Sequence, residues 1–366
     1  MPQVTIAAVG DIMLGDHPVC FGHGVGSALR KGVPIFGPGL RSHLSRVDVV
    51  VGNLETVLSA VPKDSQSLRA MEMRADPQAA ALLRDIGVDI VTLANNHIMQ
   101  HGEAALRETV SHLHTAGVEP MGLAGASGSI PIVRSINGET LVFAAYSLRP
   151  EHFSTLQPLP YAKVLPEELL KEVETLSSLH PEASLVVSLH WGEEYIDAPS
   201  ASQIELGHEL VRRGVRLILG HHPHVMQGVE VVGDSLIAYS LGNLMFDSWQ
   251  LPTRQSAVLT CRMEARRVVG YELSPVTIGK GPFAELATGN GKRALDSRFM
   301  QLSQKISRRS EECSLTDGEY AQLAADAYLK YRMECYAYFI TRIWRYSPRV
   351  IWDSLFRAAL RKVGLA

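Results

Sequence analysis

The chain has 366 residues, of which 46% are hydrophobic and 20% charged, and its formal net charge is −3. These values predict a globular protein of two or three domains and give no reason to expect nucleic-acid binding. No basic signal-peptide region, no apolar stretch of the ~18–20 residues of a membrane span and no C-x-x-C pair are present, so we expect a cytoplasmic protein without disulfides.

Two apolar runs near the N-terminus predict buried strands that each lead to a carboxylate. Val4–Val9 leads to Asp11, and Val47–Val51 is followed closely by Glu55. A carboxylate after a strand is either a turn or cap residue or a metal ligand, and each position alone leaves both interpretations open. The glycine-rich stretch Gly22–Gly26 lacks the Lys-Ser/Thr of a phosphate loop and predicts a flexible loop.

A third strand is predicted at Asp89–Leu93, and it delivers Asn96 and His97 into the loop that follows. Helices are predicted on both sides of it, at residues 76–86 and at residues 102–116. This segment therefore repeats the order of strand, polar loop and helix that is typical of α/β folds.

The later strands predict a mixed sheet system. Two strand-like runs within residues 130–146 are separated by Asn137-Gly138, which is the strongest short-range hairpin signal. Two further runs, Ala257–Met263 and Val268–Val276, also read as strands. We therefore expect a second sheet packed on the first.

A fourth polar strand end lies between two predicted helices. Leu165–Leu179 and residues 201–213 have the amphipathic pattern of helices, and Leu185–Leu189 between them predicts a strand that ends at His190. A single histidine in such a position is usually a hydrogen-bonded loop residue, so it gains significance only with partners.

Three histidines follow the next predicted strand. The apolar run Leu217–Leu219 leads through a glycine to His221, His222 and His224, and Pro223 stiffens the loop between the last two. A strand that ends by displaying imidazoles is common in metal sites, because neutral imidazole suits first-row divalent metals. The alternative is a surface loop that happens to be rich in histidine.

Taken together, these strand ends predict a metal centre at the carboxyl ends of the strands of an α/β fold. Two carboxylates, one amide oxygen and three imidazoles suffice for two divalent cations, with one carboxylate as a bridge. His97 is not needed as a ligand and is placed to protonate a leaving group. The predicted metal ligands are Asp11, Glu55, Asn96, His190, His222 and His224.

A C-terminal helical segment at residues 286–366 is predicted to follow a domain of residues 1–285. Residues 291–366 carry 14 Lys and Arg against 8 Asp and Glu, which makes this part basic and the remainder acidic. We expect it to pack on the main domain or in a homodimer, with a basic helix on an anionic membrane as the alternative. That helix is predicted at 349–363, with one face formed by Ile351, Trp352, Leu355, Phe356, Ala359 and Leu360.

Six motifs occur in an order that resembles one known family. The resemblance is to the CapA family of poly-γ-glutamate capsule biosynthesis proteins, within the calcineurin-like metallophosphoesterase superfamily, and it spans about residues 4–280. It implies a four-layer αββα sandwich with a dinuclear metal centre. The motifs are GDIML (10–14), GNLE (52–55), LANNH (93–97), HWGEEY (190–195), GHHPHVMQ (220–227) and YSLGN with a following Phe (239–243, 246).

The resemblance implies a role for each matching residue. Asp11 and His224 would bind the first metal, His222 the second, and Glu55 would bridge them. His97 would be the catalytic histidine, while Asn96 and His190 would be further ligands. Expected substrate contacts are Asn53, Trp191, Glu194, Tyr195, Asn243 and Arg254.

Two positions depart from the pattern of the superfamily. Met13 stands where the superfamily has a histidine, and a thioether is a poor ligand for these metals. The first metal is therefore expected either to be weakly held or to be supplemented by Asp16 or His17. Gln100 stands where many CapA-like sequences have an aspartate, which predicts a missing carboxylate behind the ligands.

Two functions follow from these observations. The first is a metal-dependent hydrolase, most simply of phosphoesters, that uses Mn, Fe or Zn and metal-activated hydroxide on an anionic small molecule or polymer. The second is a component of poly-γ-glutamate or related amide-linked polymer synthesis that works with a ligase or exporter. An inactive scaffold is a third possibility, and a serine hydrolase is excluded because no G-x-S-x-G elbow is present.

Overall fold

A computed structural model describes residues 3–60, 71–125, 128–309 and 317–362, with the backbone only at residues 307–309, 317 and 357–362. The strands in these ranges are β1 (Gln3–Ile12), β2 (Val49–Leu54), β3 (Val57–Leu58), β4 (Arg74–Ala75), β5 (Ile90–Thr92), β6 (Glu119–Met121), β7 (Ala124–Gly125), β8 (Gly128–Ser129), β9 (Ile132–Ile136), β10 (Glu139–Ser147), β11 (Ser184–His190), β12 (Val215–His221), β13 (Val229–Val232), β14 (Ser235–Ala238), β15 (Asn243–Met245), β16 (Gln255–Glu264), β17 (Arg267–Ile278) and β18 (Ala284–Leu286).

The helices in the same ranges lie between and after the strands. They are α1 (Val25–Arg30), α2 (Pro38–Leu44), α3 (Ala79–Asp85), α4 (Gly102–Thr115), α5 (Pro166–Leu179), α6 (Ala201–Arg212), α7 (Gly289–Arg309), α8 (Asp317–Thr341) and α9 (Pro348–Lys362), with 3₁₀ turns at Pro18–Cys20, Pro252–Arg254 and Ile343–Arg345.

Two mixed sheets form the centre of the molecule. The first has the order β18-β17-β16-β1-β2-β5-β6, with β15 also paired to β1, and its strands β1, β2, β5 and β6 run parallel. The second has the order β13-β14-β12-β11-β10-β9, with a parallel centre of β10, β11, β12 and β14. Asn137-Gly138 joins β9 to β10 in the predicted antiparallel hairpin.

The hydrophobic core shows that the sheets pack face to face between outer helices. Leu141 and Phe143 of β10 share one buried cluster with β1 and β2, and this cluster also contains Leu40 of α2, Leu83 of α3 and Leu106 of α4. Each such buried side chain contributes roughly 1.5–3 kcal/mol to stability. The opposite face of the second sheet carries α5 and α6 through a second cluster. The predicted four-layer αββα sandwich is therefore confirmed.

The C-terminal helices pack on the sandwich at different places. Leu295, Phe299 and Leu302 of α7 bury themselves against the first sheet, while Tyr346 and Val350 form a small cluster against the loop before α1. No helix in the described ranges is long and apolar enough to cross a membrane. The division of the chain at residue 285 stays a prediction.

The predicted apolar face of the last helix is only partly buried. The helix is observed at Pro348–Lys362; Ile351 packs at the edge of the small cluster, whereas Trp352, Leu355 and Phe356 are exposed. Ala359 and Leu360 lie outside the described side chains.

One loop prediction is wrong in part, since residues 22–24 form a turn but the helix that follows starts inside the predicted loop. The stretch Gly22–Gly26 was expected to be flexible, but α1 begins at Val25 and buries it together with Gly26. The backbone N–H of Val25 donates to the buried carboxylate of Asp247, 2.8 Å away, which holds the start of this helix in place.

Gly220→Ala tests the close packing at the end of β12. A Cβ at this position would lie 2.0 Å from the carbonyl oxygen of Tyr239 and 2.5 Å from Trp191 Nε1, and the backbone cannot yield there without moving β12. We expect a loss of about 3 kcal/mol in the free energy of unfolding, measured by urea denaturation. Gly291→Ala in α7, where a Cβ meets nothing, is the control and should not destabilise. Equal effects of the two changes would contradict this account.

Candidate metal centre

Four strand ends bring titratable side chains to one edge between the two sheets. Asp11 lies near the end of β1 and Glu55 directly after β2, which runs parallel to β1. His190 and His221 end β11 and β12 and are register partners in the second sheet. All four residues are buried, so their charges and polar atoms interact in a poorly solvated space.

Asp11, Glu55 and His224 form the first candidate ligand group. His224 Nδ1 lies 3.2 Å from Asp11 Oδ2, and His224 Nε2 lies 3.5 Å from Glu55 Oε2. One nitrogen or oxygen atom from each of the three residues lies within 4.8 Å of the others, which is close enough for a single cation.

Glu55, His190 and His222 form a second candidate group with the same spacing. His190 Nε2 lies 3.2 Å from Glu55 Oε1 and 2.9 Å from Asn96 Oδ1, so the amide oxygen of Asn96 adds a fourth donor. Glu55 belongs to both groups and offers one carboxylate oxygen to each. This is the arrangement that a bridging ligand between two ions requires.

Several buried atoms of the centre lack hydrogen-bond partners among the described residues. They are both ring nitrogens of His222, Nε2 of His221 and Oε2 of Glu55. A buried polar atom without a partner costs roughly 1–3 kcal/mol, so four in one place call for a ligand. Imidazole and carboxylate donors fit Mn, Fe or Zn, and the residues present therefore fit a pair of divalent cations.

The pKa values reflect charges that the protein alone does not balance. Burial lowers the pKa of His190 and His222 well below the usual value, so both rings are neutral at pH 7. Burial raises the pKa of Glu55, and the Asp11 carboxylate adds to this effect. Although burial opposes it, Glu55 and Asp11 raise the pKa of His224 to about 10. Glu55 and His224 compete for one proton, and we place it on His224 because two carboxylates surround that ring.

The histidine loop has a strained backbone. His222 has a φ of 97° and His224 a φ of 57°, in the left-handed region that non-glycine residues rarely adopt. Such conformations cost about 1–3 kcal/mol each and persist only where the surroundings enforce them. With this backbone, the rings of His222 and His224, which flank Pro223, lie towards the buried carboxylates.

His221, Asn53 and Asn243 hold the candidate ligands in position. His221 Nδ1 lies 2.9 Å from Asp11 Oδ1, and Asn53 Nδ2 donates to both Asp11 (2.9 Å) and Glu55 (3.2 Å). Asn243 Oδ1 lies 3.0 Å from His224 Nδ1. The predicted substrate contacts of Asn53 and Asn243 are corrected, because both side chains are buried and occupied in this network.

Trp191 also departs from its predicted role. Its side chain is 1% exposed, stacks on Tyr239 and donates from Nε1 to the Tyr239 carbonyl at 3.0 Å. It faces the core between the second sheet and its helices, so a substrate cannot reach it.

Glu194 and Tyr195 lie beside the centre. Glu194 forms a third group of possible ligands with His222 and His224, within the same 4.8 Å spacing. The ring of Tyr195 lies 6.3 Å from that of His224 and stacks at 4.2 Å on Tyr331 of α8. The C-terminal segment therefore covers part of the site, which the sequence motifs did not indicate.

His97 lies at the partly exposed side of the centre. Its Nδ1 is 3.0 Å from Gln100 Oε1, so Gln100, at the position where many CapA-like sequences have an aspartate, orients the ring. Burial lowers the pKa of His97 to about 4 despite this hydrogen bond. The free protein therefore holds His97 as a neutral imidazole at pH 7.

The other departures from the family pattern also have structural explanations. Met13 packs with Met73 and Phe246, and it is not a ligand. Asp16 does not supplement the site, because its carboxylate accepts from Ser27 N at 2.7 Å and Ser27 Oγ at 2.6 Å. His17 instead faces Tyr331, with Nε2 3.0 Å from the hydroxyl oxygen.

Arg254 does not lie at the metal centre. Its Nε donates to the Ile278 carbonyl at 2.8 Å, and the side chain lines a separate pocket beside α8. Its predicted contact with a substrate at the metals is therefore corrected.

The family of the chain is established by sequence comparison. The family described as bacterial capsule synthesis protein PGA_cap matches residues 5–248, about two thirds of the chain, and the chain belongs to this family. It is 26% identical over 316 residues to the PGA biosynthesis protein CapA of Bacillus subtilis (strain 168), covering 84% of this chain and 80% of that protein. It is 28% identical over 290 residues to the capsule biosynthesis protein CapA of Bacillus anthracis, covering 76% and 68%.

Solved structures show a more distant likeness. A 5'-nucleotidase precursor from Thermus thermophilus matches with a TM-score of 0.43 and 14% identity, over 85% of this chain and 60% of that one. The sulfate thiohydrolase SoxB of the same organism matches with a TM-score of 0.44 and 14% identity, over 82% and 61%. The chain thus spans about three fifths of the length of these two proteins.

The number of bound metal ions should distinguish Glu55, which belongs to both candidate groups, from a residue that belongs to one group only. Glu55→Ala removes a donor from both groups and should reduce bound metal from about two ions per chain to near zero, whereas His190→Ala should leave about one. Elemental analysis of purified, metal-loaded protein measures this, with the exposed His114→Ala on α4 as control. Equal losses in the two variants would contradict a bridging Glu55.

Metal binding should release a proton at pH 7. His224, with its pKa raised to about 10, must lose its proton before it can bind a cation, so affinity should rise with pH by up to about tenfold per unit below that value. His190 and His222 are already neutral and add no such dependence. Calorimetry in buffers of different ionisation enthalpy measures the released proton, and a pH-independent affinity would refute this assignment.

Proposed function

We propose that the protein is a metal-dependent hydrolase of phosphoesters that uses a dinuclear centre. The observation that carries this proposal is the position of Glu55, whose two carboxylate oxygens lie 3.2 Å from His190 Nε2 and 3.5 Å from His224 Nε2. Beside it, both ring nitrogens of the buried His222 lack a hydrogen-bond partner among the described residues. Two-metal hydrolases of this kind act on phosphate esters.

The ligands divide between two sites. Asp11, Glu55 and His224 would hold the first cation, and Glu55, Asn96, His190 and His222 the second. When bound, the cations supply Lewis-acid stabilisation of the phosphoryl oxygens and lower the pKa of a water molecule to near neutral. The identity of the metal is proposed as Mn, Fe or Zn from the mixed nitrogen and oxygen donors.

His97 is proposed to pass a proton to the leaving group. Gln100 fixes the ring through Nδ1 and leaves Nε2 as the atom that can exchange a proton. The pKa of about 4 in the free protein suits proton acceptance better than donation. A phosphate dianion next to the ring would raise this pKa, because an opposite charge within ~4–6 Å favours the protonated form.

Glu194 and Tyr195 are proposed to line the substrate entrance. Both are partly exposed, and Tyr195 borders a small cavity together with His224 and Tyr331. The stacked rings of Tyr195 and Tyr331 narrow the approach, which favours a slender anionic group over a bulky one.

A second function is favoured by the family and its named relatives. The two Bacillus relatives carry names of PGA and capsule biosynthesis, and a further relative at 26% identity is called a probable polyglutamine synthesis accessory protein of Mycobacterium tuberculosis (strain ATCC 25618 / H37Rv). The protein would then serve polymer synthesis together with a ligase or exporter. The exposed Trp344, Trp352 and Phe356 offer a surface for such a partner, for a second copy of the chain or for a membrane.

Hydrolysis of an aryl phosphate ester by metal-loaded protein tests the first function. Asn96→Ala and His222→Ala should abolish turnover and lose the second cation while keeping the first, whereas His97→Ala should keep both metals and lose about 10²–10⁴-fold in kcat. His114→Ala is the matched control, since it removes an exposed imidazole that belongs to none of the described ligand groups. Full activity of His97→Ala would remove that residue from the mechanism, and inactivity of the loaded wild type on a panel of phosphate esters would favour the biosynthetic role.

A further inference from the structure

A second pocket lies beside the metal centre, at the junction of the main domain and the C-terminal helices. It has a volume of about 540 Å³ and is lined by residues 246–249, by the loop after β17 and by the end of α8 with the turn that follows. Phe246 belongs to its wall, and the Phe246 ring lies 4.7 Å from that of His224. The pocket is thus a neighbour of the metal centre but is lined by different side chains.

Four cations converge on this pocket from three separate elements. Arg254 comes from the turn before β16, Lys280 from the loop after β17, and Arg342 and Arg345 from the turn after α8. None of the four forms an ion pair with the residues that the structure describes. Isolated surface cations are ordinary, but four around one cavity produce a concentrated positive potential.

Contacts to the protein fix two of these side chains without neutralising them. Arg254 donates from Nε to the Ile278 carbonyl, which leaves its terminal nitrogens available. The guanidinium carbon of Arg342 lies 4.1 Å from the centroid of the Tyr338 ring, so the group is stacked on an aromatic face. Both are held in place before any ligand arrives, which lowers the entropy cost of binding.

The one carboxylate in the lining does not balance these charges. Asp247 is buried and accepts from the backbone N–H groups of His17 and Val25, each at 2.8 Å. Burial raises the pKa of Asp247 to about 8, so its carboxyl group is mostly neutral at pH 7. Trp249 in the same wall has a buried indole N–H without a partner among the described residues.

We propose that this pocket is a binding site for an oligoanion, a molecule that carries several carboxylate or phosphate groups. Arg254, Lys280, Arg342 and Arg345 bind its oxygens, and the guanidinium groups suit bidentate contacts to either group. The volume is within the range of small-ligand sites, and it has room for several anionic groups. This site does not depend on hydrolysis at the metal centre.

Calorimetric titration of the full chain tests the proposal. Tripolyphosphate and a short glutamate oligomer are the two probes, added to protein treated with a chelator so that binding at the metals makes no contribution. At least one of them should bind, more weakly as salt concentration rises. The stronger of the two identifies whether the site prefers phosphates or carboxylates.

Substitutions locate the binding. Arg342→Ala with Arg345→Ala should weaken it by about tenfold or more, and Lys280→Ala alone, on a different element, should weaken it as well. The control is Arg332→Ala with Arg293→Ala, which removes equal charge from exposed side chains outside the pocket lining. Thermal unfolding of each variant verifies that the C-terminal helices remain folded.

The outcomes distinguish this site from the proposed hydrolase. His222→Ala should lose hydrolysis and keep oligoanion binding, whereas Lys280→Ala should weaken oligoanion binding and keep its metals. Absence of binding by both probes, or equal binding by the pocket and control variants, would overturn the proposal.

Discussion

Two carboxylates, Asp11 and Glu55, are buried side by side where the parallel strands of the first sheet end, and most features of the centre compensate for this placement. Asn53 donates to both, and His221 and His224 approach Asp11 from the second sheet. These contacts do not suffice, because Glu55 retains an oxygen without a hydrogen-bond partner among the described residues. Even with the His224 ring protonated, one imidazolium faces two buried carboxylates. Buried charge is stable only when it is paired, and cations are the simplest further partners for it.

The two sheets of the fold bring these buried side chains together. Each sheet contributes parallel strands whose carboxyl ends meet at the same edge, so that residues far apart in sequence face each other across the sandwich. Neither sheet could build the centre alone, because the acids come from one and most imidazoles from the other. The strained backbone at His222 and His224 completes the arrangement, and the close contact of Gly220 with Tyr239 fixes where that loop starts.

Much of this organisation could be predicted from the sequence. Apolar runs followed by Asp11, Glu55 and His190 identified strands and their polar ends. A buried strand requires a run of apolar residues, and such a run is visible in the local sequence. Trp191 was assigned wrongly for an equally local reason: successive strand residues face opposite sides, so the neighbour of a ligand points into the core.

The long-range contacts could not be predicted in this way. His221 ends β12 and holds Asp11 across the sheets, a contact between residues 210 positions apart. The pairing of Tyr331 with His17 spans 314 positions, and no motif marks either residue. Such contacts depend on how the layers and the C-terminal helices come together, which periodicity does not encode.

The aromatic contacts of the C-terminal helices have a consequence for the order of assembly. Tyr331, Tyr338 and Tyr346 reach His17, His23 and the Val19 carbonyl through single hydrogen bonds between the distant ends of the chain. Closing so long a loop costs more entropy than any local pairing, and ring stacking such as that of Tyr331 on Tyr195 offsets only part of this cost. The C-terminal helices should therefore dock late in folding and be among the first elements to open in the folded protein. Their brief detachment would expose the metal centre to solvent.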